Sequence, residues 1–368
     1  MNSLERFNAS MARSTFDRIP YSMNMVPELW EKICSHIGNR ELSQLELLGG
    51  DCAWAIPRYT GENVKIFPDG RYTNMFGVLM EDVSFGAGSY SEAVGHPLSD
   101  ATTVAEIEQY QWPSLEDFDY SIVVDSLVNN PDYAYTVGYL ALGWYCWDLR
   151  GMDQFLEDLI LDPIMANALI EQISDFGYGY FKRIIEVGKS YIGRNFRCIQ
   201  LADDWATQEG LMISPEMYRE YFKPHYKRII DLAHEARLLV EFHICGSAVN
   251  LIPELIDTGI DILNPIQTSA KGMIPEQLQQ RFGGQVAFSG GLDVQTIMPF
   301  GTTEEVRKEV FRLLDVFGKN GGYILQPSHS LQIDTPLENI HAMIKAIYEY
   351  YSMEHDVPPL IPLLDLSK

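Results

Sequence analysis

The second half of the chain alternates between short apolar segments and longer amphipathic ones. The five apolar segments "NFRCIQLADD", "LLVEFHICG", "DILNPIQ", "QVAFSGGLD" and "YILQPSH" are each followed by a segment with helical periodicity. Strands that are apolar throughout are typical of a parallel sheet that is covered on both faces. The pattern therefore predicts five β/α units between about Asn195 and Ser352.

The first half has room for three more units, although its pattern is less regular. Two candidate strands there are "RIPYSM" and "YAYTVGYLALGWY". Eight units predict a (β/α)8 barrel as a single domain over residues 1–368, with an N-terminal helical extension. A doubly wound open sheet is the alternative, but the chain has neither a GxGxxG at a strand-to-helix turn nor a P-loop.

Composition and charge narrow the class of protein. The 368 residues carry a formal net charge of −24, which argues against nucleic acid and anionic membranes as partners. The chain has no run of 18 apolar residues that would predict a membrane-spanning helix, and no apolar segment typical of a secretion signal. Its five cysteines are scattered and odd in number, which is typical of reduced thiols, so we expect a cytoplasmic protein.

The stretch "EFHICG" places three reactive side chains at alternate positions. Residues i and i+2 of a strand face the same way, so Glu241, His243 and Cys245 are predicted to line one side of their strand. A carboxylate, an imidazole and a thiol that face together predict a metal site or an acid–base site. A buried thiol beside a hydrogen-bonded histidine is the alternative.

Polar residues follow the predicted strands, where a (β/α)8 barrel carries its chemistry. We predict catalytic roles for Asp203, Asp204 and Glu241, with helix capping or a solvated loop position as the alternative for the first two. No comparable set of polar residues is predicted at the amino ends of the strands. The predicted substrate-binding residues are Gln208, Asn264, Gln267, Ser289 and Asp293.

Several segments resemble the uroporphyrinogen decarboxylase superfamily: "HICG", "DILNPIQ", "GMIPEQLQQRFGGQVAFSGGLDVQ" and "GGYILQPSHSLQIDTPLENIHAM". The resemblance extends over nearly the whole chain and implies a (β/α)8 barrel. In the true decarboxylases, the arginines of an "RQAGRY" segment hold the carboxylates of the substrate. The corresponding region here reads "SMNMVPELWEK" and has no arginine, which disfavours a porphyrinogen decarboxylase.

The other branch of this superfamily comprises cobalamin-dependent methyltransferases that bind zinc. They carry an H-x-C pair on one strand and a third ligand, usually Cys, at the end of the last strand. His243 and Cys245 match the pair, whereas His329 stands where that branch has Cys. The resemblance thus implies a Zn²⁺ site formed by His243, Cys245 and His329, and cobalamin carried by a partner corrinoid protein. A hydrogen bond from His329 to substrate is the alternative.

This branch implies transfer of a methyl group from a small methylated donor to the cobalt of a corrinoid protein. An imidazole in place of a thiolate leaves the site one negative charge lighter, which favours an oxygen-bound methyl group such as that of a methoxylated aromatic compound. The alternatives are methylation of a thiol such as coenzyme M, porphyrinogen decarboxylation and a barrel that only binds a corrinoid or tetrapyrrole. The oligomeric state, including a homodimer, stays open.

Overall fold

A computed structural model of the chain describes residues 1–41, 43–84, 88–358 and 361. The strands in this part of the chain are β1 (Cys52–Ala55), β2 (Arg58–Tyr59), β3 (Tyr72–Thr73), β4 (Leu79–Ser84), β5 (Ser89–Gly95), β6 (Phe118–Asp119), β7 (Ala134–Ala141), β8 (Phe196–Ala202), β9 (Leu239–His243), β10 (Ile262–Ile266), β11 (Ala287–Leu292) and β12 (Tyr323–Pro327). The helices are α1 (Ser3–Met11), α2 (Pro27–Ile37), α3 (Gln44–Leu48), α4 (Val104–Glu108), α5 (Ser121–Asn129), α6 (Leu142–Arg150), α7 (Met152–Leu161), α8 (Pro163–Gly188), α9 (Pro215–Met217), α10 (Lys223–Glu235), α11 (Ile252–Thr258), α12 (Pro275–Phe282), α13 (Ile297–Phe300), α14 (Thr303–Leu313) and α15 (Leu337–Tyr350).

Seven strands form one parallel sheet in the order β1-β7-β8-β9-β10-β11-β12, and an extended segment closes it. The closing segment, residues 20–25, lies between β12 and β1. On one side Leu325 N donates to Pro20 O at 3.0 Å. On the other side Asp51 N donates to Tyr21 O at 2.8 Å. The segment thus connects the two edge strands of the sheet and takes the eighth strand position, which confirms the predicted (β/α)8 barrel over an open sheet.

The predicted order of elements in the second half is confirmed. Strands β8 to β12 are each followed by at least one helix. Two helix ends are also where a capping residue would place them: Ser214 caps the helix that starts at Pro215, and Gly259 ends α11 with φ +110°. In the first half the candidate segment "YAYTVGYLALGWY" contains β7 and the start of α6, while the four-residue strand β1 was not predicted.

Along the chain, a small antiparallel sheet, β3–β4–β5, is inserted between β1 and β7, which are neighbours in the barrel. It follows the carboxyl end of β1 and therefore lies on the mouth side of the barrel. At its edge the ring of Tyr90 lies 6.5 Å from the ring of His329, centroid to centroid, in an edge-on arrangement. The insertion thus reaches the rim of the predicted site.

The opposite end of the barrel, which we call the floor, is closed by α1 and an ionic cluster. The carboxylate of Asp51 is fully buried and accepts hydrogen bonds of 2.6 Å from both Arg6 and Arg18. Ser10 Oγ donates to Tyr323 O at 3.0 Å, which ties α1 to β12. The expectation that the amino ends of the strands carry no comparable polar cluster was therefore wrong.

No helix within the described ranges is both long and apolar enough to cross a membrane.

Candidate metal centre at the barrel mouth

Three side chains that can bind a metal ion meet where β8 and β9 end. His243 is the last residue of β9, Cys245 lies two residues beyond it, and Asp204 lies two residues beyond β8. Their ligand atoms all lie within 4.8 Å of one another. The two strands are parallel neighbours, with Ala202 paired to His243, so the segments that follow them begin side by side.

Contacts within this group bring the three ligands together. Asp204 Oδ1 accepts a hydrogen bond from Cys245 N at 3.0 Å, and Cys245 Sγ lies 3.4 Å from His243 Nε2. Burial, together with the nearby Asp204 carboxylate, holds the pKa of the Cys245 thiol well above its usual range. A cation among the three groups would have the opposite effect, because metal coordination stabilises a thiolate.

The imidazole of His243 is oriented by Asn264. The Nδ1 atom of His243 lies 2.9 Å from Asn264 Oδ1, and Asn264 Nδ2 donates to Ser289 Oγ at 3.2 Å. An amide oxygen can only accept, so the proton of the neutral imidazole lies on Nδ1 and Nε2 carries the free lone pair. Such a contact to the other ring nitrogen is typical of metal-binding histidines. Asn264 and Ser289, predicted to bind substrate, here orient His243, a candidate metal ligand.

The donor set of this group fits Zn²⁺. Carboxylate oxygen, imidazole nitrogen and thiolate sulfur are the ligands that Zn²⁺ takes in proteins, whereas Mg²⁺ and Ca²⁺ prefer oxygen alone. Asp204, His243 and Cys245 supply one of each. Three protein ligands leave a further position for water or substrate, as in catalytic zinc sites.

His329 lies outside this group of three. It follows β12, three strands away from β9 around the barrel, whereas Asp204 follows the strand next to β9. His329 is exposed and lines the same cavity as His243. The structure therefore brings Asp204 rather than His329 together with the predicted pair, and it does not test ligation by His329.

The neighbouring acids Asp203 and Asp204 have different surroundings. Asp203 is fully buried and accepts hydrogen bonds from Gly143 N at 3.0 Å and Trp144 N at 2.9 Å, as well as from the Tyr226 hydroxyl. Burial raises the pKa of Asp203 to about 7 in spite of these donors. Asp203 thus caps the first turn of α6, which was the structural alternative for this residue.

Glu241 lies deeper in the barrel than the group of three. Its side chain is buried in the middle of β9, and the hydroxyl of Thr136 donates to Glu241 Oε2 at 3.4 Å. Burial raises the pKa of Glu241 to about 7. The predicted alignment of Glu241 with His243 holds along the strand, but Glu241 is not among the three clustered ligands.

Two of the predicted substrate-binding residues brace the loop after Cys245. Gln267 Oε1 accepts from Gly246 N at 2.7 Å, and Gln267 Nε2 donates to Gln208 Oε1 at 3.2 Å. Gly246 has φ +82°, and a Cβ atom there would lie 2.6 Å from Ala206 O, so only glycine fits the turn. Asp293 instead lies just before α13, accepts from Thr296 N at 2.8 Å and Ile297 N at 3.2 Å, and does not line the cavity beside His243.

A cavity of about 180 Å³, which we call the site cavity, adjoins His243. Of the predicted residues, it is lined by His243, Asn264 and His329, and none of its lining residues, all within the described ranges, is Arg or Lys. Other residues that line the cavity were not predicted from the sequence, among them Asn24, Trp54, Tyr139, Gln200 and Gln326. A single glutamine inside an otherwise apolar strand is the signal that could have indicated Gln200 and Gln326.

Comparisons with known proteins place this geometry in a family context. The family model described as uroporphyrinogen decarboxylase (URO-D) matches residues 145–350. The methylated-thiol–coenzyme M methyltransferase of Methanosarcina mazei is 30% identical over 55% of this chain and 49% of its own length. The methylcobamide:CoM methyltransferase MtbA of Methanosarcina acetivorans is 26% identical over 54% of this chain and 53% of its own length. This chain therefore spans about half the length of these two curated relatives.

Decarboxylases are also similar to this chain. Uroporphyrinogen decarboxylase 2, chloroplastic, of Oryza sativa subsp. japonica is 24% identical over 66% of this chain and 60% of its own length. Among solved structures, a methyltransferase from Methanosarcina mazei superposes with a TM-score of 0.70 at 17% identity, covering 95% of this chain and 99% of that one. At that identity the likeness concerns the fold, and it agrees with the closed barrel described above.

Proposed function

We propose that this chain, which belongs to the uroporphyrinogen decarboxylase family, is a zinc-dependent methyltransferase that works with a partner corrinoid protein. Its reaction would move a methyl group between a small methylated compound and the cobalt of the corrinoid. The observation that carries the proposal is the group formed by Asp204, His243 and Cys245 at the barrel mouth. Two relatives named as methyltransferases support the choice of reaction.

The residues of this chain have separate tasks in the proposed reaction. Asp204, His243 and Cys245 would hold the zinc ion, which as a Lewis acid withdraws charge from the heteroatom that gives up or receives the methyl group. Asn264 keeps the proton of His243 on Nδ1, so that Nε2 faces the group. Gln267 fixes the backbone at Gly246, directly after the thiol ligand. The corrinoid chemistry would belong to the partner, docked over the mouth.

The donor is proposed to be neutral. The sequence favours an oxygen-bound methyl donor because a zinc ion held by His329 instead of a thiolate would have one negative charge fewer around it. Asp204 supplies a carboxylate beside the pair, which removes that argument. Support for an aromatic methyl ether now comes from the site cavity, whose lining includes Trp54 and Tyr139 but neither Arg nor Lys in the described part of the chain. A methylated thiol is the alternative donor.

Porphyrinogen decarboxylation is the alternative reaction. Its substrate carries several carboxylates, which are normally bound by arginine or lysine side chains. The site cavity is lined by neither of these residue types within the described ranges. This observation favours methyl transfer over decarboxylation.

The experiment is a demethylation assay with Zn²⁺-loaded protein and cob(I)alamin. Parallel reactions contain methyl donors with the methyl group on oxygen, sulfur or nitrogen, and loss of the cob(I)alamin absorbance reports transfer. Cys245→Ser should abolish turnover, whereas Cys34→Ser, at a buried cysteine of α2, should not. Activity that survives in Cys245→Ser, or decarboxylation of a porphyrinogen without methyl transfer, would contradict the proposal.

A further inference from the structure

A second cavity, of about 250 Å³, lies beside the site cavity and has no role in the function proposed above. We call it the seam cavity because it lies where the closing segment 20–25 separates from β1. Its lining includes Met23, Leu45, Leu48 and Tyr135. All the side chains that line it, within the described ranges, are uncharged.

The hydrogen bonding of the closing segment explains the opening. Tyr21 O still accepts from Asp51 N, just before β1. Further along, the segment turns to the other side: Leu331 N donates to Asn24 O at 2.9 Å, and Val26 N donates to Leu331 O at 3.0 Å. Within the described backbone, no hydrogen bond joins residues 22–25 to β1. The gap is covered from outside by Leu45 and Leu48 of α3.

The two cavities share part of their walls. Asn24 and Trp54 line both of them. Neither the indole N–H of Trp54 nor the side-chain amide of Asn24 has a hydrogen-bond partner in the part of the chain that the structure describes. The boundary between the cavities therefore offers two donors to an oxygen atom of a ligand.

We propose that the seam cavity binds the aromatic ring of a small, neutral methoxyaromatic methyl donor. The ether oxygen would lie between Asn24 and Trp54, and the methyl group would enter the site cavity beside His243. This inference rests on the proposed function and names its substrate class.

Size and polarity support this occupant. An apolar cavity of roughly 150 Å³ is large enough to bind benzene. The seam cavity, at about 250 Å³, has room for a ring with one or two small substituents. A charged donor would lose its hydration without gaining an ionic partner, so the uncharged walls favour a neutral one.

Binding can be measured without turnover. The probe is methoxybenzene, titrated into Zn²⁺-loaded protein and followed by ligand-observed NMR. Ala53→Leu places a larger side chain in the seam cavity, whereas Ala55→Leu, two residues along the same face of β1, adds the same atoms outside it. We expect methoxybenzene to bind about tenfold more weakly to Ala53→Leu and within about twofold of wild type to Ala55→Leu.

Two further variants make the test independent of any one substitution. Leu45→Phe narrows the cavity from the half-buried helix α3 and should weaken binding even if Ala53→Leu does not fold. Trp54→Phe removes the indole N–H donor. It should therefore weaken the binding of methoxybenzene by about threefold more than the binding of toluene, which has no oxygen atom. Equal losses for the two probes would overturn the assigned position of the oxygen.

The outcomes separate this inference from the proposed function. Unchanged binding in both Ala53→Leu and Leu45→Phe, or no binding to the wild-type protein, would overturn the inference even if methyl transfer is observed. Binding that depends on Ala53, with no methyl transfer from any donor, would support the cavity assignment and overturn the proposed function.

Discussion

The two ends of the barrel each carry a carboxylate, and the difference between them separates structural from functional charge. On the floor, Asp51 accepts from Arg6, Arg18 and the backbone N of Tyr21, so its charge is fully matched by the protein. At the mouth, Asp204 accepts from Cys245 N and lies beside the Cys245 thiol, and within the described ranges it forms no ion pair with Arg or Lys. A carboxylate with unused acceptor capacity beside an imidazole and a thiol is available to a metal ion.

This contrast predicts that substitutions in the floor lower the free energy of unfolding, whereas substitutions at the mouth lower the affinity for a metal ion. Removing one partner from a buried ionic cluster leaves an uncompensated charge and is strongly destabilising. Removing a side chain that is a candidate metal ligand, and that has no counter-charge in the protein, should leave the fold intact. Four predictions, in order of decreasing effect, test this division.

The largest effect is expected on the floor. Asp51→Asn leaves Arg6 and Arg18 buried without a counter-charge and should lower the free energy of unfolding by about 3–5 kcal/mol. Denaturant titration measures this change, and the zinc content of the folded fraction should equal that of wild type. The control is Asp231→Asn in the exposed pair with Lys227, expected to cost less than about 1 kcal/mol. If Asp51→Asn and Asp231→Asn lowered the free energy of unfolding by similar amounts, the structural role of the floor cluster would be contradicted.

The second effect is expected at the mouth. Asn264→Ala removes the acceptor that orients His243 and should weaken zinc binding by roughly 10- to 100-fold. Competition with a zinc chelator measures this affinity. Asn195→Ala is the matched control, because Asn195 is a buried amide that donates to Leu127 O at 2.8 Å at the amino end of β8. A comparable loss of zinc affinity in Asn195→Ala would show that any buried amide has this effect.

A third carboxylate tests the same principle through pH. Asp148 is buried, and its carboxylate accepts from Trp144 Nε1 at 3.1 Å; burial raises its pKa to about 6. Its protonated form is favoured in the folded protein, so its stabilising contribution is present below about pH 4 and is lost as pH rises to about 6. Unfolding free energies at both pH values should show about 2 kcal/mol more loss in wild type than in Asp148→Asn. Parallel pH profiles of the two proteins would contradict this.

The smallest effect is expected for His329. Because it lies outside the group of three, His329→Ala should change zinc affinity by less than about threefold, whereas Asp204→Ala should weaken it by more than about tenfold. Chelator competition on the two variants decides between the group of three candidate ligands, Asp204, His243 and Cys245, and the set implied by family resemblance. The reverse order of effects would restore His329 as the third ligand.

The sequence predicted regular features well, because they depend on local periodicity and on single capping residues. The five β/α units of the second half, the Ser214 cap and the His243–Cys245 pair all belong to this class. The strand β1 escaped prediction because four residues are too short to display a period.

Features that depend on which strands are neighbours could not be read in advance. Asp203 and Asp204 are adjacent in sequence, and only their surroundings decide that the first caps α6 while the second lies in the group of candidate metal ligands. The ionic cluster of the floor joins residues up to 45 positions apart and has no local signature. Inward-facing polar residues inside apolar strands, such as Gln200 and Gln326, cannot be told from core positions until the barrel shows which face is the interior.

The central claim is that zinc binds at the barrel mouth through one thiolate, that of Cys245. X-ray absorption at the zinc edge of the Zn²⁺-loaded protein tests it most directly, since a Zn–S shell at about 2.3 Å is resolved from N/O shells near 2.0–2.1 Å. We expect one sulfur per zinc ion in wild type and none in Cys245→Ser. A wild-type spectrum without a sulfur shell, or a sulfur shell that persists in Cys245→Ser, would contradict it.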